Sequence, residues 1–229
     1  MKVLFKTMLF ATLLFSVMAC SSDDDDENDD PYNGHAYVDL GLPIGLKWAT
    51  CNIGATSPED YGDYYAWGET STKETYDWST YKWCNGSEES MTKYCTDSRY
   101  GEVDNKTNLE LSDDVAHVKW GGTWRMPTKE EIKELLDGAN TTITWTTQGG
   151  KNGIKVTSKK NGNSIFLPAA GYRWFDYLYD VGSYGYYWSS SRHSDYDGNA
   201  YSLSFYSGYW GWVSYDDRFN GLSVRAVCP

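Results

Sequence analysis

Basic residues are scarce in this chain. Lys and Arg number 20 against 32 Asp and Glu, a net charge of −12. Neutralising a phosphate backbone needs clustered Lys and Arg, so no nucleic-acid partner is expected. Paired cysteine spacings of zinc type are missing, as are any nucleophile–base pair, phosphate loop or metal motif. No catalytic residue, no metal and no cofactor is therefore expected. Composition also excludes a collagen, a coiled coil and a polytopic membrane protein. One further absence is local: beyond Lys160 there is no Lys, Glu, Gln, Met or Thr. What the chain has instead is rings, 20 Tyr and 11 Trp, too much aromatic area for disorder. A length of 229 residues suits one domain, or two small ones.

Residues 1–19 read as a signal peptide. Lys2 and Lys6 give a basic start, and Met8 to Met18 are almost all apolar, a run short for a spanning helix. Val17-Met18-Ala19-Cys20 then resembles the lipobox of bacterial lipoproteins, with Met18 an unusual residue in it. The resemblance implies that Cys20 carries lipid and anchors the protein to a membrane; the alternative is a soluble secreted protein. Residues 20–34 read as a disordered tether, since seven of the eight residues Asp23 to Asp30 are acidic. An acidic run directly after the lipidated Cys also resembles the signal that sends Bacteroidota lipoproteins to the outer face of the outer membrane. Without those seven carboxylates and the two early lysines, the remainder carries −7.

Residues 35–229 then form the folded domain. Tyr37 to Leu40 and Leu46 to Thr50 alternate as a hairpin around Gly41 to Gly45. Tyr64 to Trp67 reads as a buried strand or aromatic corner, and Glu69 to Leu111 as a long surface excursion. Ser112 is the expected cap of a short helix ended by Gly121-Gly122. A second helix is clearer: Thr128-Lys129-Glu130-Glu131 is a capping box, Ile132, Leu135 and Leu136 form one stripe, and Asp137-Gly138 closes it. Strands are expected at Thr142–Trp145, Ile154–Thr157, Ser164–Leu167, Tyr186–Ser190, Tyr201–Phe205, Trp210–Ser214 and Leu222–Val227, the last with Leu222, Val224 and Ala226 on one face. The fold class is α+β. Apart from Cys20, four cysteines remain, and three pairings are open.

Several segments together resemble a known family. They are Tyr37-Val38-Asp39-Leu40-Gly41-Leu42-Pro43, Leu46 to Ala55, Tyr61 to Glu69, Trp120 to Thr128, Tyr187-Trp188-Ser189-Ser190-Ser191 and Ser223 to Val227. The family is the Fibrobacter succinogenes major paralogous domain, common in Bacteroidota surface lipoproteins. The resemblance implies a C-type-lectin-like fold: two helices, a twisted antiparallel sheet, and paired N- and C-terminal strands. It also favours disulfides Cys51–Cys228 and Cys84–Cys95. The Glu-Pro-Asn and Trp-Asn-Asp signatures of sugar-binding C-type lectins do not occur. Glu59, Asp60, Asp63 and Glu69 could hold a cation, or simply cap turns. The fold also hosts formylglycine-generating oxidases, which need late reactive cysteines, and only Cys228 is late. His35, His117 and His193 read as solvated.

The ring-rich end carries the functional expectation. Tyr and Trp give large contact area at low entropic cost, and Ser, Gly and Asn adapt hydrogen bonds around them. Trp188, Leu203, Phe205 and Val224, with Trp174, are the expected core. The expected ligand-binding residues are Tyr177, Tyr179, Tyr184, Tyr196, Tyr206, Tyr209, Trp210, Trp212, Tyr215, Asp216, Asp217 and Arg218. Asn codons varied at their adenines yield Tyr, Asp, Ser and Gly but never Lys, Glu, Gln, Met or Trp while the third base stays a pyrimidine, so on that reading the Trp residues are fixed scaffold. The lysine-free segment in this way resembles the variable regions of retroelement-diversified proteins; the missing Thr is outside that rule. The expected function is a monomeric, non-catalytic binding module for a protein or glycan outside the cell. A structural or adhesin-type component is the alternative, and an enzyme the more remote one.

Overall fold

The chain enters its fold on a hairpin. In the computed structural model, which describes residues 32–229 and only the backbone of Trp210, β1 (Tyr37–Asp39) pairs antiparallel with β2 (Lys47–Ala49). The expected signal, Cys20 and the acidic run lie outside the described residues. The body nevertheless starts ahead of the expected boundary at His35. Trp124 donates its indole N–H to the Tyr32 carbonyl, and Asn33 donates to that of Trp120.

Both expected helices form. The first, α1 (Val115–Trp120), is capped by Asp114 rather than by Ser112. The Asp114 carboxylate accepts from the N–H groups of Ala116, His117 and Met126, so one buried side chain caps the helix and ties down the chain beyond it. The second, α2 (Lys129–Leu136), has the full Thr128–Glu131 capping box. Glu131 also takes a bidentate pair of hydrogen bonds from Arg125, at 2.8 and 2.6 Å. Ile132 and Leu135 face inward.

Strands then dominate. β3 (Thr141–Gln148), β4 (Lys151–Ser158) and β5 (Ser164–Pro168) make one antiparallel sheet. A hairpin absent from the expectations follows, β6 (Tyr172–Trp174) against β7 (Tyr177–Tyr179). A third sheet has β9 (Asn199–Tyr206) between β8 (Tyr184–Arg192) and β10 (Tyr209–Asp217). The last strand, β11 (Val227–Cys228), pairs with β2 and so joins the two ends of the domain. Its neighbour is the second strand of the opening hairpin, not the first. The class is α+β with mostly antiparallel sheets.

The core is divided into clusters. Leu40, Trp48, Ile132, Ile154, Leu167, Leu203 and Phe205 pack together under α2. Trp67, Trp124, Trp188, Leu222, Val224 and Ala226 make a second cluster beside them. Trp188, Leu203, Phe205 and Val224 are thus core as expected, whereas Trp174 is 41% exposed, because it stands on the protruding β6–β7 hairpin.

The long excursion after Glu69 is no loose loop, and no disulfide pins it. Tyr76, Tyr81, Met91 and Cys95 are buried with Phe219 in a third cluster. Neither expected bridge forms, and the four cysteines among the described residues are free thiols. Cys84 donates to the carbonyl of Trp78, while Cys95 donates to Asp97 and Asp197. Antiparallel register sets Cys228 opposite Lys47, four residues before Cys51. At strand spacing that is on the order of 10 Å, beyond the reach of a bridge. Burial pushes the Cys95 and Cys228 thiols up to about 11.

Arg218 does the pinning. It is fully buried, not an exposed contact residue as expected. Its guanidinium donates to the Tyr81 hydroxyl and to the carbonyls of Lys93, Tyr94 and Asp197. It also lies over the rings of Trp67 and Tyr81. Arg225 plays the same part at the chain ends. It donates to Asn52 and to the carbonyls of Ala49, Thr50 and Phe166, and burial lowers its pKa from the usual guanidinium range.

Candidate functional site

Period-two alternation decides which rings can meet a ligand. In the third sheet Tyr184 lies opposite Tyr206, and Tyr186 and Trp212 lie on either side of Ser204. These rings share one face. Tyr187, Leu203 and Val213, one residue out of phase, share the other and pack into the core. Gly185 lets the sheet close over that core. A Cβ there would stand 2.1 Å from the Phe205 ring on the facing strand.

The β6–β7 hairpin extends the ring-bearing face. Gly171, at φ +65, starts it; a side chain at this position would lie 1.9 Å from the Tyr179 carbonyl oxygen. The tight turn places Phe175 at φ +50, a strained value for a bulky residue. Reciprocal backbone hydrogen bonds with Tyr76 hold it there, and Thr75 donates to Asp176 beside it.

Hairpin and sheet together carry one unbroken ribbon of ring contacts. From the hairpin it runs Phe175, Trp174, Tyr179 and Tyr172, with Tyr177 also on Tyr179. It crosses to Tyr186, then Tyr184, then Tyr206. It ends on Trp212 and Tyr209. Every centroid step is between 4.6 and 6.2 Å, within the range of favourable aromatic pairs. Tyr177 is 66% exposed and Tyr209 56%, with Leu178 and Val181 exposed alongside the hairpin rings.

The expected site residues therefore divide. Tyr177, Tyr179, Tyr184, Tyr206, Tyr209 and Trp212 join the ribbon. Tyr196 and Tyr215 do not. They gather with Tyr201 around His193, and register puts Tyr201 and Tyr215 on the other side of the sheet from Trp212. His193 is 7% exposed, not solvated, and burial lowers its pKa. His35 stacks on Trp120, and His117 bonds the Trp124 carbonyl, so neither of these is free in solvent. Asp216 shares the ribbon's face of β10 but accepts a 2.6 Å hydrogen bond from Ser202. Burial, helped by the charge of Asp217, pushes its carboxyl up to about 6 against that bond. Asp217 accepts from Asn199, and burial raises it too. Nothing is described of the Trp210 side chain.

Four ribbon rings escaped the expected site: Tyr172, Trp174, Phe175 and Tyr186. They belong to the dense run of rings that marks this end of the chain. Their outward direction depends on the hairpin, whose Phe175-Asp176 turn lacks Gly, Pro or Asn and so gives no local signal.

The acidic group near residue 60 does not converge. Asp60 pairs with Lys151, Asp63 accepts from Tyr65, and Glu69 accepts from Lys73 and the Lys82 N–H. Among the described residues no group of three or more His, Cys, Asp or Glu could hold a metal ion, and no helix is long and apolar enough to cross a membrane. What the ribbon can offer is contact: flat apolar faces with hydroxyl and indole donors at their edges, rimmed by the exposed Asp176 and Asp180. No protein-family model, no curated protein and no solved structure matches this chain.

Proposed function

We propose that this chain is a lipid-anchored outer-membrane protein whose C-type-lectin-like body binds a protein or glycan outside the cell, without catalysis, through the aromatic ribbon. One observation carries the reading: ten rings in unbroken contact, five of them (Trp174, Phe175, Tyr177, Tyr179 and Tyr209) exposed to solvent. Monomeric proteins seldom leave contiguous apolar patches of this kind without a partner. The rings are Tyr and Trp for the most part, the residues that anchor paratopes and interface centres. Anchoring through Cys20 rests on the apolar run and the Cys that follows it.

Diversification of the ribbon by a retroelement is part of the proposal, and packing limits where it acts. Ser189, Ser190, Ser191, Asp197, Ser202 and Ser204 are buried, so the positions able to vary are exposed ones such as Tyr177, Tyr179 and Tyr209.

A glycan array set against capture of candidate surface proteins identifies the ligand class. The triple variant Tyr177→Ser, Tyr179→Ser, Tyr209→Ser, with its circular dichroism and Tm unchanged, then loses binding. Retained binding would remove the ribbon as the site. Size-exclusion chromatography separates binding from assembly: a binding module elutes as a monomer, a structural component as oligomers.

A further inference from the structure

Tyr206, Tyr209 and Trp212, at one end of the ribbon, are the described residues that line a hollow of about 360 Å³. Their arrangement is not that of a flat stacking platform. Tyr206 and Tyr209 are nearly parallel, 24° apart, with centroids separated by 6.5 Å. Trp212 stands across both, at 86° to Tyr206 and 74° to Tyr209. Together the three rings rim a shallow, open box, whose occupant sits over them rather than between them.

We propose that this box is a binding site for a quaternary ammonium group of choline type. The proposal deepens the ligand-binding reading of the ribbon and rests on it. Its geometry follows from the triangle of centroids, whose sides are 6.0, 5.2 and 6.5 Å. A cation seated about 4 Å above such a triangle lies within about 6 Å of all three ring centres, the distance within which a ring face attracts positive charge. A sugar, by contrast, wants one open face to stack on and hydrogen-bonding groups beside it.

The wall chemistry selects among cations. A primary ammonium carries three N–H donors that must be satisfied when it leaves water. Among the described residues the hollow's lining holds no carboxylate to pair with them, only ring faces, phenol oxygens and backbone. A tetraalkylammonium has no N–H, is weakly hydrated and presents methyl groups to the rings. The surrounding charge agrees, since the body carries −7 apart from the signal and tether. The basic side chain of the adjoining hollow, Lys159, donates to the Gly138 carbonyl.

The test uses the domain in solution, with choline and tetramethylammonium as probes and 3,3-dimethylbutan-1-ol as the neutral isostere of choline. Chemical-shift changes at the Trp212 indole report occupancy. The proposal expects saturation near millimolar choline, with the isostere at least about tenfold weaker. Tyr209→Phe keeps the ring face and retains binding; Tyr209→Ala weakens it about tenfold or more; Val118→Ala, on the exposed side of α1, changes nothing. Equal binding of choline and isostere, preference for a methyl glycoside, or insensitivity to Tyr209→Ala would each overturn the proposal. A macromolecular ligand that needs the ribbon but is not displaced by choline also overturns it, while leaving the broader reading intact.

Discussion

Arg218→Ala tests how the long excursion is held, and through it the ground on which the hairpin stands. The substitution takes the donors from the carbonyls of Lys93, Tyr94 and Asp197 and from the Tyr81 hydroxyl. A buried acceptor left without a partner costs about 1–3 kcal/mol, and water entering the vacated space offsets part of that. The loss should be about 3–5 kcal/mol, in the range for breaking a buried charged network. With a urea m-value of about 2 kcal/mol/M, the midpoint falls by about 2 M. Arg218→Met separates donor loss from cavity formation, because it refills much of the volume. If the hydrogen bonds matter most, Met recovers little of the loss. Limited proteolysis should then cut the variant first between residues 69 and 111. An Arg218→Ala midpoint within about 0.5 M of wild type would refute the reasoning.

Asp216 makes stability pH-dependent. Its carboxyl is raised to about 6 in the fold against about 4 in the unfolded chain, so its contribution is fully present below about pH 4 and is lost as pH rises through about 6. Asp216→Asn should therefore raise Tm at pH 8 relative to wild type and bring little change at pH 4; an equal effect at both would contradict the sign. Gly171→Ala puts a Cβ against the Tyr179 carbonyl at positive φ and should cost about 2 kcal/mol or more in urea unfolding. Iodoacetamide should label the half-exposed Cys51 of the native protein well before Cys95 and Cys228, whose thiols burial holds protonated, as mass spectrometry of timed samples would read. At the gene, the diversification proposal expects a neighbouring reverse transcriptase and an adenine-rich template copy of the segment after Lys160; their absence would discard it.

Local grammar was readable where a residue's role is set by its neighbours in sequence. The Thr128–Glu131 box gave α2, and period-two runs gave β3, β4, β5, β8, β9 and β10 to within a few residues. Arg218 and Arg225 were not readable as interior residues. A guanidinium is exposed unless distant carbonyls converge on it, and only the folded chain brings Lys93, Tyr94 and Asp197 to one point. Tyr196 and Tyr215 looked like ribbon members by composition, but register sends Tyr215 to the opposite face. Trp174 looked like core by residue type, yet the unsignalled turn at Phe175 lifts it into solvent.

The ribbon itself is tested most directly by the dissociation constant of the domain for the ligand the screens identify. Two variants are set against wild type: Tyr177→Ser/Tyr179→Ser/Tyr209→Ser on the ribbon, and Tyr196→Ser/Tyr215→Ser around His193. A hundredfold or so weakening by the first, with the second within about twofold of wild type, is the predicted result. Binding that follows Tyr196 and Tyr215 and ignores the ribbon would contradict it.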